Sequence, residues 1–424
     1  MSAPTGPILT QFDQIAAGGG DPGQIAGAQM QFILTQVRQN ALPFFRELRD
    51  DRPILRTARV TLVSRFRDVE EIFHRELVFS VGPYLPRMMG VIGPFVLSQD
   101  ITPRYDHDIS AMRLAIRRDD VGRVRARVAE TAEAIVDRLA AGGAPFDIVR
   151  PLTRTVPVLT ARDYLGVFAP HDAQMMDWAR ACFREFFVNL ANRPEMRAPA
   201  VAAGAELMDR IAELMGRRRA SGAEIDDVLG RLLAQQRAGE GHGFDDEGVC
   251  RTLAGFITGM VETTSQAAVH ALLSLFAHPD RLAEASAAAR EDRDEDLAAL
   301  VFEALRFRPV NPLVERLVRE DYLLGAGAPH ATLIPKGATV FALSWSAMFD
   351  ERVLEAPEEF RPGRPASHYL HFATGRHTCF GKYISQAQIP GILKPLLRRE
   401  GLRPAGDLKL DGTFPDELPV AVGP

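Results

Sequence analysis

Apolar residues recur at three- and four-residue intervals over most of the chain, while strand-like alternation is confined to short stretches. Residues 29–50 carry Phe32, Ile33, Val37, Leu42, Phe44 and Leu48 at helical spacing, and Pro53 closes that pattern. Residues 54–57 and 59–63 then alternate and predict a strand pair, followed by a short helix near 68–74. An Arg-rich helix is expected over 108–139, with further helices near 156–165, 171–192, 198–221 and 226–238. Strand-like segments return at 313–318, 322–324, 332–334 and 339–343. The pattern predicts a mainly α protein with a smaller β-rich part.

The longest periodic stretch is 245–278, with Asp245 able to cap its start and Pro279 beyond its end. About 34 residues at about 1.5 Å each span roughly 50 Å, enough for a central beam. Midway lies Gly259-Met260-Val261-Glu262-Thr263-Thr264. An acid and two hydroxyls in an otherwise apolar span are costly to bury without partners or a function. Threonine hydroxyls bonded back to helix carbonyls are the structural alternative. Further on, Glu303 and Arg306 stand three apart on one helical face, among Leu300, Val301, Phe302, Leu305 and Phe307. That setting suggests a buried pair with a third partner. Residues 81–96 interleave Gly and Pro with apolar side chains and read as an apolar loop. Met88, Met89, Ile92 and Phe95 are either pocket wall or core packing. The aromatic stretch around Phe186 carries the same two readings.

Composition narrows the class. The chain has 424 residues, 46% of them hydrophobic, enough for a large core. A net charge of −5 provides no bulk basic excess for nucleic acid. Three cysteines in no paired framework suit a reducing cytoplasm. The first basic residue is Arg38 and no long apolar run precedes it, so neither signal peptide nor membrane anchor is expected. Residues 1–27, with Gly18-Gly19-Gly20, read as a flexible arm, and 28–424 as a single domain.

The most informative stretch is His371-Phe372-Ala373-Thr374-Gly375-Arg376-His377-Thr378-Cys379-Phe380-Gly381. Cys379 has basic neighbours (Arg376, His377, Lys382) and precedes a helical pattern, so the macrodipole favours its thiolate. Gly375 and Gly381 permit tight turns and close approach to a flat ligand. Pro390 and Pro395 are expected to bend or shorten the helix that follows. Taken alone, the loop fits a thiolate presented to haem iron, a buried structural cysteine, or part of a Cys-His zinc site.

As a whole, Phe372-x-x-Gly375-x-His377-x-Cys379-x-Gly381 resembles the haem-binding signature of the cytochrome P450 family. Glu303-x-x-Arg306 resembles that family's Glu-x-x-Arg helix, and Phe360-x-Pro362-x-Arg364 the loop after it. Residues 259–264 resemble the oxygen-activating part of its long helix. The resemblance implies a long central helix over haem b (iron protoporphyrin IX), with Cys379 as axial thiolate on a loop beneath. It further implies Thr263 as the hydroxyl that hydrogen-bonds the oxygen being activated, and Glu262 as proton donor. His377 and Arg316 become propionate partners and Arg113, with His107 nearby, the candidate for the remaining propionate, although the spacing there departs from the family's. A Glu303–Arg306–Arg364 network would hold the loop. Where the family has Gly, this chain has Met260, expected to crowd the groove that receives oxygen; Gly259 and Leu313 join the expected pocket lining.

The function implied is a monooxygenase that inserts one atom of O2 into an apolar small molecule such as a terpenoid, fatty acid or polycycle. Its electrons would come from NAD(P)H through a separate ferredoxin or flavodoxin and its reductase. Arg113, Arg117, Arg118, Arg376 and Lys382 form a candidate docking patch for that partner. A peroxide-driven peroxygenase, a peroxide isomerase and a non-catalytic haem sensor are the alternatives.

Overall fold

The computed structural model describes residues 6–239 and 243–423. The chain divides into two compact units. The first comprises Met1–Pro83, Asn311–Phe360 and Arg364–Cys379, and the second Tyr84–Val310, Arg361–Gly363 and Phe380–Pro424.

The first unit is built on a five-stranded sheet in the order Ile54–Arg56, Thr61–Val63, Thr339–Ala342, Val314–Val318, Phe79–Ser80. The first two strands form the expected antiparallel pair, with Leu55 opposite Leu62. Thr61–Val63 then runs parallel to Thr339–Ala342, with Leu62 opposite Phe341. Where a flexible arm is expected over 1–27, of which residues 1–5 lie outside the described residues, the structure instead has helices Pro7–Ala17 and Pro22–Gln39. The reason is burial: Ile8, Leu9 and Phe12 share one helical face and join a core with Phe44, Phe45 and Leu48. The Glu47 carboxylate accepts the orphan N–H groups of Ile8 and Leu9 at the first helix's start. Gly19 and Gly20 supply only the turn before Asp21, which caps the second helix through Gly23 and Gln24.

The second unit is organised around the helix Asp246–Phe276. Asp245 caps it, accepting from the Gly248 N–H at 2.7 Å. Residues 248–258 are all buried, as expected of a helix apolar on every side. Helices Asp172–Phe183, Pro194–Ser221, Asp294–Phe307 and Lys382–Arg398 pack against it.

Three sequence expectations differ here. The helix expected over 108–139 is two, Pro103–Ala115 and Val121–Ala140, joined through a 3₁₀ turn at Arg118–Asp120. Asp120 makes the break: buried, it accepts from Tyr164 Oη at 3.0 Å and from Arg231 Nη2 at 3.0 Å. The helix after the cysteine loop continues through Pro390 and Pro395 to Arg398. Each proline forfeits a backbone bond, but both are buried among Ile389, Ile392, Leu393 and Leu396, and packing holds the helix. Finally, the apolar loop is partly helical, with Leu85–Met89 between 3₁₀ turns Gly82–Tyr84 and Val96–Ser98. Within the second unit it is seated against glycines. A Cβ on Gly255 would lie 2.7 Å from the Phe95 ring, and one on Gly204 would lie 2.5 Å from the Val91 carbonyl oxygen.

Candidate active site

In the first unit, residues 371–379 form a self-bonded turn. Gly375 has φ 82°, and its Cβ would fall 2.2 Å from the Phe73 carbonyl oxygen, so glycine is required there. The Gly375 carbonyl accepts from Thr378 Oγ1 at 2.7 Å, and the Phe372 carbonyl accepts from the Cys379 N–H at 2.9 Å. Cys379 is exposed, whereas Cys182 and Cys250 are buried. Burial pushes the Cys182 and Cys250 thiols up to about 12 and about 11, leaving them inert. Gly381 caps the helix Lys382–Arg398, which starts three residues after Cys379.

His377 and Arg316 both lie near Glu76, which sequence reasoning missed. The His377 N–H donates to Glu76 Oε1 at 2.8 Å, and His377 Nδ1 lies 3.2 Å from the same oxygen. Arg316 is buried, donates to the Glu315 carbonyl at 2.9 Å, and stacks over the Phe73 ring. Burial raises the Glu76 carboxyl, but hydrogen bonds from His377 and the charges of His377 and Arg316 outweigh it and hold the group below its ordinary value. Arg364 donates to the carbonyls of Ala356 and Glu359, and Leu313 packs against the core around Phe44 and Phe45.

In the second unit, Glu303 and Arg306 are both fully buried, with Nη2–Oε1 at 2.7 Å and Nε–Oε2 at 3.1 Å. Glu303 Oε1 also accepts the Arg361 N–H at 2.9 Å, a main-chain partner from the loop after Phe360.

On the central helix, Gly259 and Thr263 are the only half-exposed positions between residues 248 and 269, one turn apart on one face. Nothing lies within 4 Å of a Cβ built on Gly259, and the Thr263 hydroxyl donates to the Gly259 carbonyl. Glu262 points elsewhere: it is buried, 3.3 Å from Arg154 Nε and 3.4 Å from Arg180 Nε. A π-helical turn, Val149–Arg154, delivers Arg154. Arg180 continues to Asp411 and Asp416, each at 3.1 Å, on the strand pair Lys409–Asp411 and Phe414–Glu417. Burial pushes the Glu262 carboxyl up to about 7, with Arg180 pulling against it.

The Met260 thioether accepts from Gln388 Nε2 at 3.3 Å, so its bulk is directed at the helix Lys382–Arg398. Phe256 meets Phe380 edge-on at 5.5 Å. Met88, Ile92 and Phe186 are buried, Phe95 is half-buried and Met89 is 53% exposed. Of the candidates for the remaining propionate, His107 Nδ1 is engaged by Asp108 at 3.0 Å and Arg113 is exposed. Arg118 stacks its guanidinium on the exposed Tyr383 ring at 4.0 Å. Among the described residues, no three His, Cys, Asp or Glu side chains converge as a metal-ligand cluster, and no helix is long and apolar enough to cross a membrane.

Glu76, Arg154, Arg180 and Gln388 carried no motif or spacing signal; each meets its partner through packing.

Comparison with known proteins shows the family. The family model for cytochrome P450 matches residues 173–406. The chain belongs to the cytochrome P450 family and is a monooxygenase of that family. It is 26% identical to nocardicin C N-oxygenase of Nocardia uniformis subsp. tsuyamanensis over 66% of this chain, spanning 65% of that relative's length. It is 27% identical to the cyclomarin C epoxidase CymV of Salinispora arenicola, over 84% of this chain and 88% of that one. The crystal structure of CalO2 superposes with a TM-score of 0.79 at 25% identity, covering 92% of this chain and 97% of that one.

Proposed function

We propose that this protein holds haem b through Cys379, with His377 and Arg316 as partners of its propionates, and inserts one oxygen atom from O2 into an apolar small molecule. The donor set fits the group. The exposed cysteine supplies a soft sulfur ligand for iron, and a buried imidazole and a buried guanidinium supply N–H donors for carboxylates. The observation that carries the reading is this exposed thiol on a glycine-constrained turn, whereas burial makes the other two thiols inert.

When bound, the haem supplies the oxygen-activating redox chemistry, and the protein supplies orientation, protons and exclusion of water. Thr263 offers a hydroxyl on the open face of the central helix. Glu262, pushed up to about 7, is poised to hold or release a proton near neutrality, and Arg154 and Arg180 connect it towards Asp416 near the surface. The apolar segment seated on Gly204 and Gly255 is the proposed pocket wall, which favours a terpenoid, fatty acid or polycycle. Electrons come from NAD(P)H through a ferredoxin or flavodoxin, with the Arg117–Arg118–Tyr383 surface as the proposed docking face.

The test is the absorption spectrum of the purified protein, oxidised and then reduced under carbon monoxide. A strongly red-shifted carbonyl band, abolished by Cys379→Ala, is expected. A band of the histidine-ligated type, or no bound haem, overturns the reading. Turnover driven by hydrogen peroxide alone and unchanged by Thr263→Ala would replace O2 by peroxide as the oxidant.

A further inference from the structure

We propose that Glu76 is a positioning residue for the cysteine loop: its carboxylate pins the turn at residues 375–377 and so sets the direction in which Cys379 is presented. The inference rests on the reading of Cys379 as the haem ligand. The bonds within residues 371–379, from Thr378 to the Gly375 carbonyl and from the Cys379 N–H to the Phe372 carbonyl, shape the loop but do not attach it to another segment. Glu76 does attach it. It lies just past the helix Phe66–His74, and its Oε1 accepts the main-chain N–H of His377, a residue 301 positions away.

The same oxygen would sit 3.0 Å from a Cβ on Gly375, so the turn lies directly against the carboxylate. The Phe73 carbonyl lies 2.2 Å from that Cβ as well. Both Glu76 and the His377 ring are nearly excluded from water, with side-chain exposures of 7% and 4%. A carboxylate that far removed from solvent is retained at a cost unless its acceptors are used, and here the loop's own backbone uses one. Only Thr378 separates that anchored residue from Cys379. Loss of the acceptor removes this anchor beside Cys379 and shifts the turn that presents its side chain.

Three variants of the haem-loaded protein test this. Glu76→Gln keeps an acceptor oxygen at the same reach, Glu76→Asp withdraws it by one methylene, and Glu76→Ala removes it. Each is read by its reduced carbonyl spectrum and by haem transfer to excess apomyoglobin. Glu76→Gln is expected to keep the red-shifted band. Glu76→Asp and Glu76→Ala are expected to divide the signal between that band and one of the non-thiolate type, with haem transfer faster by about tenfold, the scale of one lost hydrogen bond. Should Glu76→Ala fail to fold, amide exchange at residues 375–378 in Glu76→Asp takes its place, with the His377 N–H expected to exchange about tenfold faster. Glu76→Asp and every folded Glu76→Ala preparation keeping the wild-type band, with transfer and exchange within about twofold, would overturn the proposal. A wild-type protein lacking the red-shifted band would instead overturn the underlying reading of Cys379, whatever Glu76 does.

Discussion

Glu262→Gln converts the charge balance of the central helix into a measurable pH dependence. The carboxyl stands at about 7 in the folded protein against an ordinary value of 4.5, mainly because burial disfavours its ionised form. A carboxyl raised on folding imposes no penalty where both folded and unfolded chains are protonated, below about pH 4.5. Between 4.5 and 7 the unfolded chain releases the proton while the folded chain keeps it, so stability falls as pH rises. Each pH unit costs about 1.4 kcal/mol, and the displacement of about 2.5 units gives a total of about 3 kcal/mol, reached near pH 7 and constant above it.

Glutamine resembles the neutral acid in shape and does not titrate. The stability of Glu262→Gln relative to wild type is therefore expected to be flat below about pH 4.5. It should then grow by about 1.4 kcal/mol per unit towards pH 7 and level off. Urea unfolding of both proteins at half-unit intervals from pH 4 to pH 8 reads the difference directly, because every other titrating group cancels unless it contacts Glu262. A difference that stays constant across this window would refute the reasoning. It would mean that Arg154 and Arg180, at 3.3 and 3.4 Å, hold the carboxylate ionised in spite of its burial.

Glu303→Gln leaves Arg306 fully buried beside a neutral partner, and a loss of about 3–5 kcal/mol in unfolding free energy is expected from denaturant titration. Gly255→Ala places a methyl 2.7 Å from the Phe95 ring. It is expected to lower stability by about 1–3 kcal/mol, with recovery in the double variant Gly255→Ala/Phe95→Leu, both read from thermal midpoints. Arg180→Ala removes a cation that counters the burial of Glu262, so the pH profile of turnover should move to higher pH by about 1–3 units.

What could be read from the sequence was what the chain encodes locally. Asp245 and the apolar run after it specify a capped helix, found as Asp246–Phe276. The three-residue spacing of Glu303 and Arg306 within an apolar helix implied a buried pair, and both side chains are fully buried. The glycine spacing around Cys379 specified a tight turn, and Gly375 does adopt a left-handed φ. Each of these depends on neighbours within a turn or two, where helical and turn geometry fix distances in advance. Charged residues far apart in the chain follow no such rule. Nothing in the chain relates Glu76 to His377, 301 residues apart, or links Glu262 to Arg154, Arg180 and Asp416. The first helix was missed for a related reason: three apolar side chains beside a Gly-rich turn are too few to predict a helix without the core of Phe44, Phe45 and Leu48 that receives them. Local spacing thus determined the central helix, the Glu303–Arg306 pair and the cysteine-loop motif. Tertiary packing decided which buried charges meet, because a buried charge is tolerated only where a folded neighbour brings its partner.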